Sequence, residues 1–349
     1  MLDNRKKKIL QAIVEEYIDK AEPVSSKSIT ENYGLDYSSA TIRNEMAELE
    51  KVGYLEKTHT SSGRVPSVEG YRYYVNELLN TDNISIKEIE YIKSKLETRI
   101  NQLEDLTKIT TSTLSEITHY TSVGIGPNME LQEIKELQFI LLGKNILMAI
   151  IFTKQGLIKE TVIKFDKDIN KNQVSLISKL FNERLVGRPL TDIDKPFEEY
   201  MFLEMENILE VVKPIVEELK KIIKESLEVY MEGTNKSFEL PELQKSEVAK
   251  EFINILDLSK NNQMFKILEE KSKGNEINVY IGGETSNSLK DFSIITLKNN
   301  VDGEDLGTIA IIGPKRMNYS KVISAMKFIS KEIKDKNKLL DKPKDRKEK

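Results

Sequence analysis

Ser38, Ser39, Ala40, Thr41, Arg43 and Asn44 crowd small and hydrogen-bonding side chains onto the start and outer face of one short segment. Small residues let a helix approach a surface closely. Arginine can make two bonds to a guanine edge, and asparagine can do the same to adenine. Free N–H groups at a helix start can also receive a phosphate. Downstream lies Thr58-His59-Thr60-Ser61-Ser62-Gly63-Arg64, a loop without acidic residues. Its hydroxyls and Arg64 suit phosphate, His59 suits a loop contact, and Gly63 permits a tight turn. From Lys57 to Arg72 the cations Lys57, Arg64 and Arg72 are opposed only by Glu69. Over residues 1–75 as a whole, acids and bases nearly cancel. The competing account is ordinary helix capping plus a solvated face, and the same geometry also serves protein contacts. Spacing alone leaves both open.

Elements around this set would position it. Ile9, Leu10, Ile13, Val14, Tyr17 and Ile18 recur at helical spacing, and Pro23 stops that helix. Ser25 or Ser26 can cap a second helix running to about Tyr33, where Gly34 ends it. Ser38 or Ser39 caps a third, with Ile42, Met46 and Leu49 on one face and Gly53 at its end. Residues 54–57 read as a strand and 64–66 as its return. Three helices and a hairpin make a winged helix-turn-helix, whose third helix would lie in a major groove.

Composition bounds the rest. The chain has 349 residues, 39% hydrophobic and 32% charged, with a net charge of −4. That suits two or three helix-rich domains with real cores. It argues against a polycation that coats nucleic acid, but a local basic face is enough for specific binding. There is no cysteine, so disulfides and thiol chemistry are excluded. The N-terminus lacks the continuous apolar core of a secretion signal, and no run of about 20 apolar residues suggests a membrane span. A cytoplasmic protein is the expectation.

Beyond residue 75, residues 68–80 suggest a tyrosine-rich connecting helix. Residues 84–118 suggest one long helical stretch, with Ile89, Leu96, Ile100, Leu103, Leu114 and Ile117 on a recurring face. Its imperfect repeat favours packing within its own domain over an intermolecular coiled coil. Strands are expected over about 136–142, 146–153 and 157–165, separated by turn-forming residues that suit antiparallel hairpins. Helices are expected over about 171–185, 197–212, 214–230, 243–254 and 264–273. Strands then come at 277–281, 292–298 and 307–312, and a last helix at 319–333. The final residues are mostly charged.

No catalytic set emerges. His59 has no evident partner or pocket, and His119 reads as a structural residue at a helix end. Two isolated histidines make zinc improbable. Gly282-Gly283 lacks the lysine and hydroxyl of a phosphate loop. Lys315 and Arg316 suit an anion or a partner, and Glu284 either a buried switch or a strand end. No cofactor or metal is implied, and no carboxylate pair stands out for hydrolysis. Two other function classes stay open: a ligand-sensing regulator of another regulon, and an enzyme or scaffold whose N-terminal helices dock partners.

The segments KILQAIVEEYIDKAEPVSSKSI, SSATIRNEMAELEKVGYLEKTHTSSGRVPSVEGYRYYV, and DFSIIT with GTIAIIGPKRMNYSKVIS after it resemble the HrcA family of heat-inducible transcription repressors. The likeness spans nearly the whole chain and is weakest across about residues 150–275. It implies an α+β chain: a winged helix-turn-helix (1–75), linker helices and the first part of a GAF-like domain (76–135), an inserted dimerisation domain of antiparallel sheet plus helices (136–230), the second part of the GAF-like domain (231–337) and a charged tail (338–349). It implies repression of chaperone operons by a homodimer on an inverted-repeat operator, CIRCE, with a chaperonin sustaining the active form. The chaperonin-linked region would correspond to about residues 307–324 and the C-terminal residues beyond them. No ligand transfers to any residue of the GAF-like part.

Overall fold

The computed structural model describes residues 2–58, 63–81, 84–97, 103–126, 132–154, 156–193, 209–225, 229–260, 263, 275–284, 289–301 and 304–340. Helix α1 (Asn4–Lys20) starts where the Asp3 carboxylate accepts the Lys6 N–H at 2.9 Å, and ends at Ala21 in the left-handed conformation. Helix α2 (Ser26–Asn32) is capped by Ser25, and α3 (Ser39–Lys51) by Ser38. Strands β1 (Leu55–Lys57) and β2 (Arg64–Pro66) pair antiparallel, and a bridge from Val24 to Arg64 adds a third short member. Ile9, Leu10, Ile13, Val14, Ile29, Ile42, Met46 and Leu49 are buried, so the faces expected from spacing close on one another. Helix α4 (Val68–Tyr73) carries the chain out through a π-turn at Tyr74–Leu78.

The stretch 84–118 is not one helix. It forms α5 (Ile86–Glu97) and α6 (Leu103–Thr118), which pack on each other within the chain's own core. Residues 98–102 lie outside the described residues. Ser85 and Glu88 cap α5 reciprocally: Glu88 N–H donates to Ser85 Oγ at 3.3 Å, and Ser85 N–H to Glu88 Oε2 at 2.8 Å.

A five-stranded antiparallel sheet, in the order β7-β3-β10-β9-β8, forms the largest layer. Its strands are β3 (Thr121–Ile125), β7 (Val229–Glu232), β8 (Ile277–Ile281), β9 (Phe292–Val301) and β10 (Glu304–Pro314). The apolar run of β10 explains its central place: Ile309, Ala310, Ile311 and Ile312 are all fully buried. Alternation sends Ile309 and Ile311 into the core shared with α5, α6 and α11 (Tyr319–Leu340). Ala310 and Ile312 face the opposite core, where Phe252, Ile255 and Leu256 of α10 (Ser246–Lys260) pack. Strand β3 has no counterpart among the elements expected from the sequence. The helix expected to run to residue 230 is described as far as Glu225, and Val229–Glu232 pairs with β3.

Between β3 and β7 the chain makes an excursion with a core of its own, from Ile134 to Ile223. Strands β4 (Ile134–Gly143), β5 (Ile146–Thr153) and β6 (Ile158–Lys164) form an antiparallel sheet. Helices α7 (Lys171–Leu185) and α8 (Leu209–Glu225) cover one of its faces. Helix α8 runs through Pro214, where the sequence suggests a helix start. Val212, Ile215, Leu219 and Ile223 keep one buried stripe across that proline. The short α9 (Thr234–Ser237) follows β7. Residues 197–208 of the helix expected over 197–212, the helix expected over 264–273, and residues 341–349 of the tail expected over 338–349 lie outside the described residues, whereas residues 338–340 continue α11. No helix among the described residues is long and apolar enough to cross a membrane.

Glu88 also ties α5 to α11 through Lys321 at 2.9 Å. Burial pushes its carboxyl up, but the Lys321 ammonium and the Ser85 donors outweigh that and hold it at about 2. The folded form therefore gains stability from this group above its unfolded value of 4.5, and loses it as pH falls towards about 2. The Glu88→Gln variant, which keeps an acceptor for Ser85, should show a shallower fall in melting temperature through that window. Equal slopes for variant and native protein would refute the link.

Candidate nucleic-acid interface

The sequence set gathers on α3 and the base of the hairpin. Ser38 Oγ accepts the Thr41 N–H at 3.1 Å and lies 2.9 Å from the Thr41 hydroxyl. Ser39 Oγ lies 3.0 Å from the buried Ser26 hydroxyl of α2, which fixes the angle between the two helices. These three hydroxyls are therefore engaged in building the turn.

With Ile42, Met46 and Leu49 pointing into the core, the opposite face of α3 must point out. Ala40, Arg43 and Asn44 are exposed on it. Among the described residues neither Arg43 nor Asn44 has a hydrogen-bond or ion-pair partner. Ala47, Glu48 and Lys51 continue the exposed surface. Sequence reasoning passed over them, although Ala47 lies four residues from Arg43 and three from Asn44, the spacing of neighbours on one helix side. Two alanines flank the arginine and the asparagine on this exposed surface.

The flanks of α3 are braced. On one side Glu45 receives Arg5 at 3.2 Å and Lys6 at 3.0 Å, both from α1. The Arg5 guanidinium also stacks 5.3 Å from the centre of the Tyr37 ring. On the other side Glu50 accepts Arg64 Nε at 2.7 Å. Arg64 also donates to the Gly63 carbonyl at 3.2 Å, and its side chain is only 16% exposed. In this structure Arg64 thus fastens the hairpin to α3 rather than reaching outward. Glu50 lies two helical turns from Arg43, so the hairpin base sits on the Arg43 side of the helix.

Gly63 is required for a reason beyond turning: a Cβ there would lie 2.8 Å from Pro23 backbone atoms. His59, Thr60, Ser61 and Ser62 lie outside the described residues. His119, at the end of α6, holds a positive φ of 61°. Among the described residues no cluster of His, Asp or Glu could hold a metal ion.

Comparison with known proteins places this architecture. Residues 1–79 match the family model for the winged helix-turn-helix transcription repressor, HrcA DNA-binding, and residues 104–323 match that for the HrcA protein C terminal domain. A protein from Ruminiclostridium cellulolyticum named heat-inducible transcription repressor HrcA is 37% identical over 95% of this chain and 97% of its own. One of the same name from Clostridium acetobutylicum is 36% identical over 95% of this chain and 96% of its own. A crystal structure at 2.2 Å of a protein described only as hypothetical superposes with a TM-score of 0.68 at 25% identity, covering 96% of this chain and 98% of that one. Two family models that between them span most of the sequence, and relatives alike along almost its whole length, agree: the chain belongs to the HrcA family.

Proposed function

We propose that the protein represses heat-inducible chaperone operons by setting the α3 helices of a homodimer into the major grooves of an inverted-repeat operator of the CIRCE type. The observation that carries this reading is the outward face of α3, where Ala40, Arg43, Asn44 and Ala47 stand exposed on a rigidly braced helix. Arg43 suits guanine, Asn44 suits adenine, and the alanines suit thymine methyls. Ser38, Ser39 and Thr41 present the helix start to phosphate, and the hairpin residues from His59 to Ser62, with Arg64 at their base, flank the duplex.

An inverted repeat calls for a two-fold protein. The sheet β4-β5-β6 supports one. Its outer face, away from α7 and α8, carries Ile140, Leu142, Ile158 and Val162, all at least 39% exposed, beside half-buried Met148 and Ile150. Ile140, Met148 and Val162 align as one row across three strands. A contiguous apolar patch of this kind marks an interface, and a second copy of the chain is the occupant that operator symmetry demands. The excursion is in this reading the inserted dimerisation domain, and the five-stranded sheet with helices on both faces is the GAF-like domain.

The proposed chaperonin dependence takes a specific form here. Within 307–324, Ile309, Ile311, Met317, Tyr319 and Val322 are fully buried. A chaperonin would meet those five side chains only before the sheet closes, so in this reading it acts on them in the folding chain. Heat-denatured protein competing for the chaperonin in the cytoplasm would then lower the supply of active repressor.

Footprinting on DNA upstream of the host's chaperone genes tests the assignment. Protection of an inverted repeat, at least about 10³-fold tighter than binding to scrambled duplex, is expected. Equal affinity for both duplexes, or no footprint with or without chaperonin, would overturn it.

A further inference from the structure

We propose that Arg316 and Arg72 are positioning residues that hold the N-terminal reading head at one fixed angle on the body, so that the dimer measures the spacing between half-sites. The inference rests on the two-fold operator reading above.

The two arginines reach in opposite directions across the same junction. Arg316, in the turn after β10, donates from Nη1 to the Ile18 carbonyl at the end of α1, at 3.0 Å. That carbonyl is one of the last four of α1, where the helix has no acceptor use for it and a cation is favoured. Arg316 is itself fixed by Glu242, through Nε and through Nη2 at 3.2 Å. Arg72, at the end of α4, points the other way. Its Nη2 donates to the Val279 carbonyl on β8 at 2.7 Å, and its Nε to Glu284 at 3.0 Å. Glu284 accepts in turn from the Ile281 N–H at 2.7 Å. Strand β8 is a sheet edge, so head and body share its outward backbone groups through this one ion pair.

Between the arginines the junction is buried. Tyr71 of α4 is 2% exposed and packs on the fully buried Tyr319 of α11, ring centres 5.8 Å apart. Val68 Cγ2 comes so close to the body that a Cβ on Gly282 would lie 3.3 Å from it. The connecting segment is strapped as well: Ser320 and Ser324 of α11 donate to the carbonyls of Asn80 and Thr81. A head on a loose tether would sample many spacings, and the gain from the second half-site would then depend weakly on spacer length. A head bonded at both ends of a buried aromatic contact permits few.

The test uses the full chain and duplexes whose spacer steps through about one helical turn, roughly 10 base pairs. Native affinity should vary by about 10²-fold across the series, and that of the double variant Arg72→Gln, Arg316→Gln by less than about tenfold. A duplex with one half-site should bind both proteins alike. A double variant that keeps the native spacer dependence overturns the proposal. So does a parallel loss on the single half-site, because the arginines would then serve the head's own fold. Native protein that binds the repeat at every spacer equally also overturns it, while the repressor reading survives. If no duplex binds, the repressor reading fails instead, and proteolysis between head and body decides the clamp: faster cutting in the double variant supports it, an equal rate refutes it. Should the double variant not fold, Glu284→Gln, which keeps an acceptor for the Ile281 N–H, takes its place with the same expected flattening.

Discussion

Met148→Lys is expected to leave the chain folded, to convert the proposed dimer to monomers, and to lower operator affinity by about 10²- to 10⁴-fold. Met148 lies mid-strand on β5, with Ile140 and Val162 as its cross-strand neighbours. Its side chain is on the outer face, so a lysine there can keep its ammonium in water while the monomer is intact. The adjacent Ala149 points inward and is fully buried, and a lysine in its place would unfold the excursion. The contrast separates interface from core on neighbouring residues. Closing the dimer over the introduced ammonium would desolvate a charge facing its own symmetry copy, at a cost of several kcal/mol. Each freed head would still bind a half-site, but the second binding event would no longer be intramolecular. Sedimentation and operator titration on one sample check both parts. A variant that stays dimeric with native operator affinity would show that the two-fold axis passes elsewhere.

The reading head is legible in the sequence because local signals and packing agree there. Serines at Ser25 and Ser38 cap helices as their types suggest, and the stripe Ile42, Met46, Leu49 fixes which side of α3 faces out. Arg64 takes a partner that composition does not foretell. A loop rich in hydroxyls and short of acids suggests a phosphate contact. Glu50, fourteen residues upstream, accepts that guanidinium once α3 and the hairpin fold together. The edges of the excursion are hidden for a related reason. Val229–Glu232 continues an apolar pattern that suits either a helix or a strand, and only pairing with β3, more than a hundred residues earlier, decides it. The long stretch 84–118 misleads because two helices packed on one core share the phase of a single helix. Arg72 and Arg316 carry no local signature: their partners lie 212 and 298 residues away.

Arg43→Ala should cost about 1–3 kcal/mol per head, the worth of the bidentate contact to one base edge proposed for it. With two heads on one operator the loss becomes roughly 2–6 kcal/mol, a fall in affinity of about 30-fold to 10⁴-fold. The fold should not share in this, since Arg43 is exposed and has no partner among the described residues. A surface change of that kind usually stays within about 0.5 kcal/mol of native stability. The discriminating observation is where the loss falls. If Arg43 reads a base, affinity for scrambled duplex changes little and the preference at one base pair of each half-site relaxes. If it only meets phosphate, both duplexes lose affinity equally and the salt slope shrinks by about 1 per contact. Arg64→Ala supplies the control, because it removes the brace between hairpin and α3: melting temperature should fall while base preference stays as it was. Competition between operator variants, read beside thermal unfolding of both proteins, settles the point. A relaxed preference at native stability assigns Arg43 to a base edge. Unchanged preference would move the reading role along the same face, to Asn44 and Ala47.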